Sequence, residues 1–162
     1  MDLIGKTLGQ YKIVESLGQG GMAAVFKAYQ SALDRYVAIK VLPAQHALTP
    51  GFSDRFVYEA RTVAQLNHPN ILPVIDFGQE GDLSYIVMKL VTGGTLKDRI
   101  GRPLDLAVTV HLVEQISAAL DHAHGRGVLH RDVKPSNVLM DEEDWDSWQT
   151  LGWPKSSPVT WG

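Results

Sequence analysis

The most distinctive local sequence in the chain is the run His130-Arg131-Asp132-Val133-Lys134-Pro135-Ser136-Asn137. A long helix is predicted directly before this run, capped at its start by Asp105 and ended by Gly125-Arg126-Gly127. Apolar residues recur in this helix every three or four positions, at Leu106, Val110, Val113, Ile116, Leu120 and Ala123. A shorter helix is predicted from Gly93-Gly94-Thr95 to about Ile100. The charged run therefore follows a helical part of the chain.

The residues before Leu90 have the pattern of an antiparallel sheet. Alternating and β-branched segments predict five strands, at Tyr11–Leu17, Ala24–Tyr29, Val37–Leu42, Ile71–Phe77 and Ser84–Leu90. A single helix is predicted at Phe52–Leu66, with Ser53 as its cap. A β-rich half followed by a helical half predicts an α+β protein with two lobes joined near Leu90–Gly93.

A glycine-containing loop, Gly18-Gln19-Gly20-Gly21, follows the first of these strands. Glycine lets backbone amides approach phosphate groups closely, because it has no Cβ and tolerates positive φ. A dinucleotide-binding turn has a similar pattern, but it requires a helix after the loop and an acidic residue about 20 positions further on. Here a strand follows, and Lys40 stands at that offset. The dinucleotide interpretation is therefore rejected.

Four features together resemble the motifs of protein kinases, in the order and at the spacing of that family. They are the glycine loop, the V-A-I-K strand at Val37–Lys40, Glu59 on the following helix, and the run 130–137. The resemblance extends from about Gln10 to Met140 and is to bacterial Ser/Thr kinases. It implies a kinase fold with a five-stranded amino-terminal lobe and the start of a helical lobe. It also implies ATP and Mg²⁺ as cofactors and Ser/Thr-containing proteins as substrates.

The resemblance implies a role for each matching residue. Asp132 would accept the substrate hydroxyl proton, Lys134 would steady the γ-phosphate and Asn137 would bind Mg²⁺. Lys40, held by Glu59, would contact the α- and β-phosphates. The nucleotide would be bound by Leu17, Gly18, Gly20, Val25, Ala38, Lys40, Met88, Lys89, Val91 and Leu139.

Composition excludes several other classes of protein. A net charge of −3 gives no basic surface for nucleic acid or anionic membranes, and no run approaches the 18 apolar residues of a membrane span. The chain has no cysteine, which fits a reducing compartment. We therefore expect a cytoplasmic protein with neither a nucleic-acid partner nor a membrane segment in this chain.

The last residues do not follow the family pattern. All four tryptophans lie there, at Trp145, Trp148, Trp153 and Trp161, and no Asp-Phe-Gly follows the run 130–137, where kinases carry this motif and its metal ligand. Residues 148–155, Trp-Gln-Thr-Leu-Gly-Trp-Pro-Lys, can be encoded by TGG CAG ACT TTG GGC TGG CCA AAA. Started one base earlier, with C from codon 147, this reads Leu-Ala-Asp-Phe-Gly-Leu-Ala-Lys. The hypothesis is a frameshift between about Asp141 and Trp145.

These observations divide the chain into three expected parts. Residues 1–90 would be the ATP-binding lobe, 91–140 a partial catalytic lobe, and 141–162 an out-of-frame, disordered tail. Without an Asp-Phe-Gly after the run 130–137, the chain as it stands would be inactive or nearly so. The alternative function is a non-catalytic nucleotide-binding or interaction fragment, which could pair with another kinase lobe.

Overall fold

The computed structural model describes residues 2–19, 23–42, 58, 60–101 and 103–141. The chain divides into two compact units. The first consists of Met1–Gln65 and Pro73–Leu90, and the second of Leu66–Leu72 and Val91–Gly162. The division after Leu90 lies near the predicted junction, whereas residues 66–72 join the second unit although the sequence analysis placed them in the first. The functional parts assigned above stay a prediction.

The first unit is built on an antiparallel sheet, as the sequence predicts. Its described strands are β1 (Thr7–Leu8), β2 (Tyr11–Gln19), β3 (Ala24–Gln30), β4 (Arg35–Leu42), β5 (Val74–Glu80) and β6 (Leu83–Lys89). Their order across the sheet is β1-β2-β3-β4-β6-β5, and each neighbouring pair is antiparallel.

The prediction of five strands was one too few. The added strand, β1, has only two residues, which pair with Lys12 and Tyr11 of β2 across a tight turn. Gly9 makes this turn possible, since its φ of +56° lies in the left-handed region. Two residues are too few to show a periodicity, so the sequence gives no sign of the strand.

The predicted position of β5 was also shifted. The strand begins at Val74, after Pro73, which has no N–H to give to a neighbouring strand. At its other end it continues through Gly78 to Glu80, beyond the predicted end at Phe77. Gly78 pairs with Tyr85 of β6, and the turn narrows to two residues, with Gly81 at φ +56°.

One face of the sheet forms the main core of the first unit. Buried side chains from β2, β3, β4 and β6 meet there, including Ile13, Phe26, Ile39 and Val87. Tyr11 lies at the edge of this core, and its hydroxyl donates to the Asp76 carboxylate at 2.9 Å. Burial, followed by the contact with Asp76, raises the pKa of Tyr11 to about 12.

The described helices agree with the sequence pattern. Residues 60–64 are helical, within the predicted range, whereas Ser53 and Glu59 lie outside the described residues. Helix α1 (Leu96–Arg99) starts with a capping box between Thr95 and Asp98, and helix α2 (Leu106–His124) follows the cap Asp105, whose carboxylate accepts the N–H of Ala107 at 2.8 Å. Within the described ranges, no helix is both long and apolar enough to cross a membrane.

The side of α2 that packs includes only part of the predicted apolar stripe, namely Ile116 and Ala123. Leu112, Ala119 and Ala123 are buried on this helix, and Ile116 packs partly between them. By contrast, 77% of Leu106 is exposed, and Val110 and Val113 are exposed as well. Leu112 and Ile116 pack against Val138, Met140 and Leu96, which follow or face the run 130–137.

Candidate functional site

The loop at residues 130–137 brings a carboxylate, an ammonium group and a carboxamide into direct contact. The Asp132 carboxylate lies 2.8 Å from Lys134 Nζ and accepts a hydrogen bond from Asn137 Nδ2 at 3.1 Å. The same Asn137 nitrogen donates to the Asp132 main-chain carbonyl at 2.7 Å. Asp132 and Lys134 are partly exposed, at 22% and 39%, so the group can meet a ligand from solvent. Three of the predicted site residues are therefore adjacent.

The backbone before Asp132 is bent in a way that few residues adopt. Arg131 has a φ of +60°, a left-handed conformation that costs a residue with a Cβ about 1–2 kcal/mol. The N–H of Asp132 donates to the His130 carbonyl at 2.9 Å, and His130 itself is buried. A bend held by a buried residue fixes the direction from which the Asp132 side chain leaves the backbone.

The residues that follow the loop, 138–140, are hydrogen-bonded to the start of α1. Leu96 N–H donates to the Val138 carbonyl at 2.8 Å, and Met140 N–H donates to the Gly94 carbonyl at 3.0 Å. Leu139 lies between these bonds, in a β-bridge with Thr95. The side chains of Val138 and Met140 are also buried in an apolar cluster, so both backbone hydrogen bonds and apolar packing hold the end of the loop in place.

In the first unit, four predicted nucleotide-contacting residues lie on one face of the sheet. Directly opposed residues in neighbouring strands point to the same face. Val25 opposes Lys40, which opposes Ile86, and this makes one row across β3, β4 and β6. Ala38 opposes Met88 in the next row. This face is opposite to the one that carries Phe26, Ile39 and Val87.

The beginning of the glycine loop adjoins the same face. Gly18 opposes Val25, and a Cβ added to Gly18 would meet no atom within 4 Å, so the space in front of it is open. Leu17 is an extra residue at an irregularity in the pairing of β2 with β3, and it is 46% exposed. Gly20 and Glu59 lie outside the described residues, so the ion pair between Lys40 and Glu59 stays a prediction.

Backbone groups were predicted to bind the purine edge at Lys89 and Val91. The N–H of Lys89 donates to the Pro73 carbonyl at 3.4 Å. Val91 begins the second unit and is partly buried. Because the predicted contacts would use main-chain atoms, we expect the side chain of Lys89 to have little effect on them.

Lys27, Tyr29 and Tyr36 lie on the same face of the sheet as Ala38 and Lys40 but were not among the predicted residues. Lys27 opposes Ala38, and its ammonium lies 4.6 Å from the centre of the Tyr36 ring. Tyr29 packs against Tyr36, with ring centres 5.3 Å apart. The signal was present, since Lys27 stands two positions after Val25 and a strand places such residues on one face.

The described residues offer few ligands for a metal ion. No group of three or more His, Cys, Asp or Glu side chains in that part of the chain could hold one. Asn137 uses its Nδ2 toward Asp132, so its Oδ1 is the atom that points away from these two bonds. An oxygen ligand from Asn137 is therefore compatible with Mg²⁺, which keeps several waters or phosphate oxygens in its shell.

The protein kinase domain model matches residues 11–146 of the chain. Among curated proteins, the chain is 45% identical over 142 residues to the serine/threonine-protein kinase PrkC of Bacillus subtilis, covering 86% of this chain and 22% of that protein. It is 43% identical over 146 residues to the serine/threonine-protein kinase PknA of Mycobacterium tuberculosis, covering 85% and 34% respectively. The chain thus spans about a fifth to a third of the length of these relatives. The crystal structure of the PknI kinase domain of Mycobacterium tuberculosis superposes with a TM-score of 0.78 at 33% identity, covering 95% of this chain and 64% of that chain.

Proposed function

Since the chain belongs to the protein kinase domain family, and its relatives are serine/threonine-protein kinases, we propose that its site serves the transfer of the γ-phosphoryl group of ATP to Ser or Thr hydroxyls of proteins. The observation that carries this proposal is the contact of Asp132 with both Lys134 and Asn137. A cytoplasmic location is part of the proposal, supported by the absence of cysteine from the sequence.

The second unit would supply the groups for the reacting hydroxyl and the γ-phosphate. Asp132 can accept the proton of a Ser or Thr hydroxyl and orient its oxygen toward phosphorus. Lys134 now pairs with this carboxylate at 2.8 Å, and its ammonium can neutralise charge on the transferring group. Because both side chains are only partly exposed, their charges are less screened than those of surface pairs.

The first unit would bind the nucleotide. Lys40 is partly buried on β4, in the same row as Val25, and can give its ammonium to the α- and β-phosphates. Ala38 and Met88 are buried side by side in the next row and offer an apolar surface for the purine ring. A small residue such as Ala38 allows a flat ring to approach the sheet closely.

The proposed cofactor Mg²⁺ would use the Asn137 amide oxygen together with phosphate oxygens of the nucleotide. When bound, it would neutralise charge on the phosphates during transfer. Among the described residues Asn137 is the ligand that the proposal names. No Asp-Phe-Gly follows residue 137 in the sequence, and the tripeptide Asp76-Phe77-Gly78 lies in β5, where the Asp76 carboxylate accepts the Tyr11 hydroxyl.

Binding of ATP can be tested by the melting temperature of the chain. We expect Mg²⁺ and ATP to raise the Tm, because a ligand at 100 times its Kd stabilises the folded state by about 2.7 kcal/mol. Lys40→Met should remove most of this shift. Lys27→Met is the matched control, since Lys27 lies on the same face in the neighbouring row and pairs with a tyrosine ring. Equal loss of the shift in both variants would contradict the assignment of Lys40.

Phosphoryl transfer needs a second experiment. Incorporation of labelled phosphate into a general protein substrate would be compared between the 162-residue chain and a version whose reading frame restores Asp-Phe-Gly. We expect transfer by the restored version and loss of transfer in its Asp132→Asn variant, because the amide cannot accept the hydroxyl proton. Full transfer by Asp132→Asn would refute the role of this carboxylate.

A second candidate function is favoured only by the absence of an Asp-Phe-Gly after the 130–137 loop. The chain would then bind nucleotide, or pair with another kinase lobe, without catalysing transfer. A Tm shift with ATP but no phosphorylation would support it, and sedimentation with an added kinase domain would test for pairing. Robust Mg²⁺-dependent transfer by the 162-residue chain would exclude it.

A further inference from the structure

Helix α2 carries a second group of apolar side chains on its exposed side. Leu106, Val110 and Val113 are spaced by four and then three residues, so they lie along one side of the helix. Their side chains are 77%, 48% and 56% exposed. A contiguous group of exposed apolar side chains is typical of a binding surface. We call these three residues the outer stripe.

The outer stripe is separate from the side of α2 that packs within the second unit. Leu112 directly precedes Val113, and successive residues differ by roughly 100° around a helix axis. Leu112 and Ile116 pack against Val138 and Met140, whereas the outer stripe is exposed. The outer stripe is therefore available to a further partner.

The described part of the chain ends beside this helix. Met140 packs on Leu112, one residue before the last described position. Residues 142–162 follow outside the described part, and we call them the tryptophan tail. Trp148 comes eight residues after Met140, a length of chain that spans up to about 29 Å when extended. Because Leu106 is only about 9 Å from Leu112 along the helix axis, the tail is long enough to reach the whole outer stripe.

The tryptophan tail has the composition of a segment that binds an apolar surface. It contains all four tryptophans of the chain, and large aromatic side chains dominate the energetics of apolar interfaces. From Ser147 to its end the tail has Lys155 and no acidic residue. Glu114 and Asp121 are exposed beside the outer stripe, seven positions apart on α2. The charges of the two surfaces are therefore complementary.

A second copy of the chain fits the outer stripe less well, because of the same two carboxylates. If two α2 helices packed stripe to stripe in antiparallel orientation, Glu114 and Asp121 of one copy would lie on the same side of the interface as those of the other. Like charges that face each other across an interface are destabilising. The tail after Ser147 brings no carboxylate side chain to this surface.

From the exposed stripe, the position of Met140 and the composition of the tail, we propose that the tryptophan tail binds the outer stripe of α2. In this complex Trp148 and Trp153 cover Val110 and Val113. The contact removes apolar surface of both partners from water, which is the driving force for it. It also makes the 162-residue chain less prone to association than an uncovered apolar helix face would be.

Tryptophan fluorescence tests the proposal on the unmodified chain, because every tryptophan lies in the tail. Quenching by acrylamide measures how freely a small neutral molecule reaches the indole rings. The urea-unfolded chain provides the value for uncovered rings. We expect quenching of the folded chain to be weaker by about twofold or more, since packed indole rings lose much of their exposed area.

Two double variants test whether the outer stripe is the surface that covers the tryptophans. Val110→Asp with Val113→Asp places charges on the stripe and should raise quenching toward that of the unfolded chain. Ala107→Asp with Ala118→Asp is the matched control, since it adds the same charges at exposed positions roughly 100° around the helix from the stripe. The control should be quenched as weakly as wild type. All four positions are exposed, so circular dichroism should show an intact helix in both variants.

The wild-type chain provides an independent measurement that needs no variant. In NMR spectra we expect nuclear Overhauser contacts between indole protons and the methyl groups of Val110 and Val113.

Three results would overturn the proposal. Equal quenching of the folded and unfolded chain would mean a disordered tail, as expected from the sequence. Weak quenching in both double variants would mean that the tail is buried elsewhere. Protection that appears only together with dimers in sedimentation equilibrium would assign the outer stripe to a second copy. These measurements contain no nucleotide, so their outcome is separate from that of the proposed function.

Discussion

Gly93 lets the exit of the 130–137 loop pass against the start of α1, and Gly93→Ala tests this packing. A Cβ added to Gly93 collides with the Met140 carbonyl oxygen and lies 2.8 Å from its carbonyl carbon. These are backbone atoms, so no side-chain rotation can relieve the contact. The two segments must separate, and the bond from Met140 N–H to the Gly94 carbonyl, now 3.0 Å, should lengthen together with that from Leu96 N–H to the Val138 carbonyl, now 2.8 Å.

The expected cost of Gly93→Ala follows from these contacts. Two weakened backbone hydrogen bonds contribute up to about 1 kcal/mol each, and overpacking costs about 1–3 kcal/mol. We therefore expect a loss of about 2–4 kcal/mol, a large share of the 5–15 kcal/mol that is typical of domains of this size. Urea unfolding followed by circular dichroism would measure the change in the free energy of unfolding.

Gly125→Ala is the matched control for this measurement. Gly125 lies in the same unit at φ −60°, and a Cβ there would be 3.4 Å from its nearest neighbour, an ordinary contact. It should change stability by less than about 0.5 kcal/mol. The claim would be refuted if Gly93→Ala were as stable as this control, or if the hydrogen-exchange rate of the Met140 amide were unchanged. Close packing of Gly93 against Met140 would then not be needed for the hydrogen bonds between residues 138–140 and residues 94–96.

Three further predictions concern the first unit and the gene. Tyr11→Phe removes the hydroxyl that donates to Asp76 and should cost about 1–2 kcal/mol. Because the folded pKa of Tyr11, about 12, exceeds the ordinary value of 10.0, wild type should lose stability as pH rises from 10.0 toward 12, and the variant should lose less in the same denaturant titrations. Gly78→Ala should lower the free energy of unfolding in urea by about 1–3 kcal/mol, since a Cβ there collides with the buried Tyr85 ring. In Gly81→Ala the added methyl meets no atom within 4 Å, so any loss of stability should come from the φ of +56° alone. Sequencing of the DNA across codons 138–156 should show Asp-Phe-Gly in the neighbouring frame, and its absence there would end the frameshift hypothesis.

The face of the sheet that carries Ala38 and Lys40 could be predicted because it follows from a period of two. Ala38 and Lys40 are two positions apart on one strand, and their side chains must share a face. The residues of other strands that lie beside them are set by the strand register, which cannot be predicted from the sequence pattern. The pairing of Val25 with Lys40 and of Ala38 with Met88 came from the structure. The irregular pairing at Leu17 comes from one extra residue in β2, and such an insertion cannot be predicted from the alternation of side chains.

The loop at 130–137 shows a different limit. Its residue types and order were sufficient to assign Asp132, Lys134 and Asn137 to one predicted site, and the structure brings the three side chains into contact. They did not predict that Arg131 adopts a φ of +60°, because a left-handed arginine is disfavoured by its own backbone and persists only through surrounding contacts. The bend depends on buried His130 and on the hydrogen bonds around it, which are properties of the folded loop.

Helix α2 shows why periodicity identifies a helix more reliably than the face it buries. Leu112, Ile116, Ala119 and Ala123 follow one another at steps of three and four, and so do Leu106, Val110 and Val113. Adjacent positions such as Leu112 and Val113 differ by roughly 100° around the helix axis, so these are two separate stripes. Both stripes have the spacing of three and four residues that predicts a buried helix face, and the predicted stripe combined members of each. The choice is made by Val138 and Met140, which pack on the first stripe directly after the loop that carries Asp132. The burial of α2 is therefore decided by the chain that follows the loop, so the helix and the loop form one packing unit.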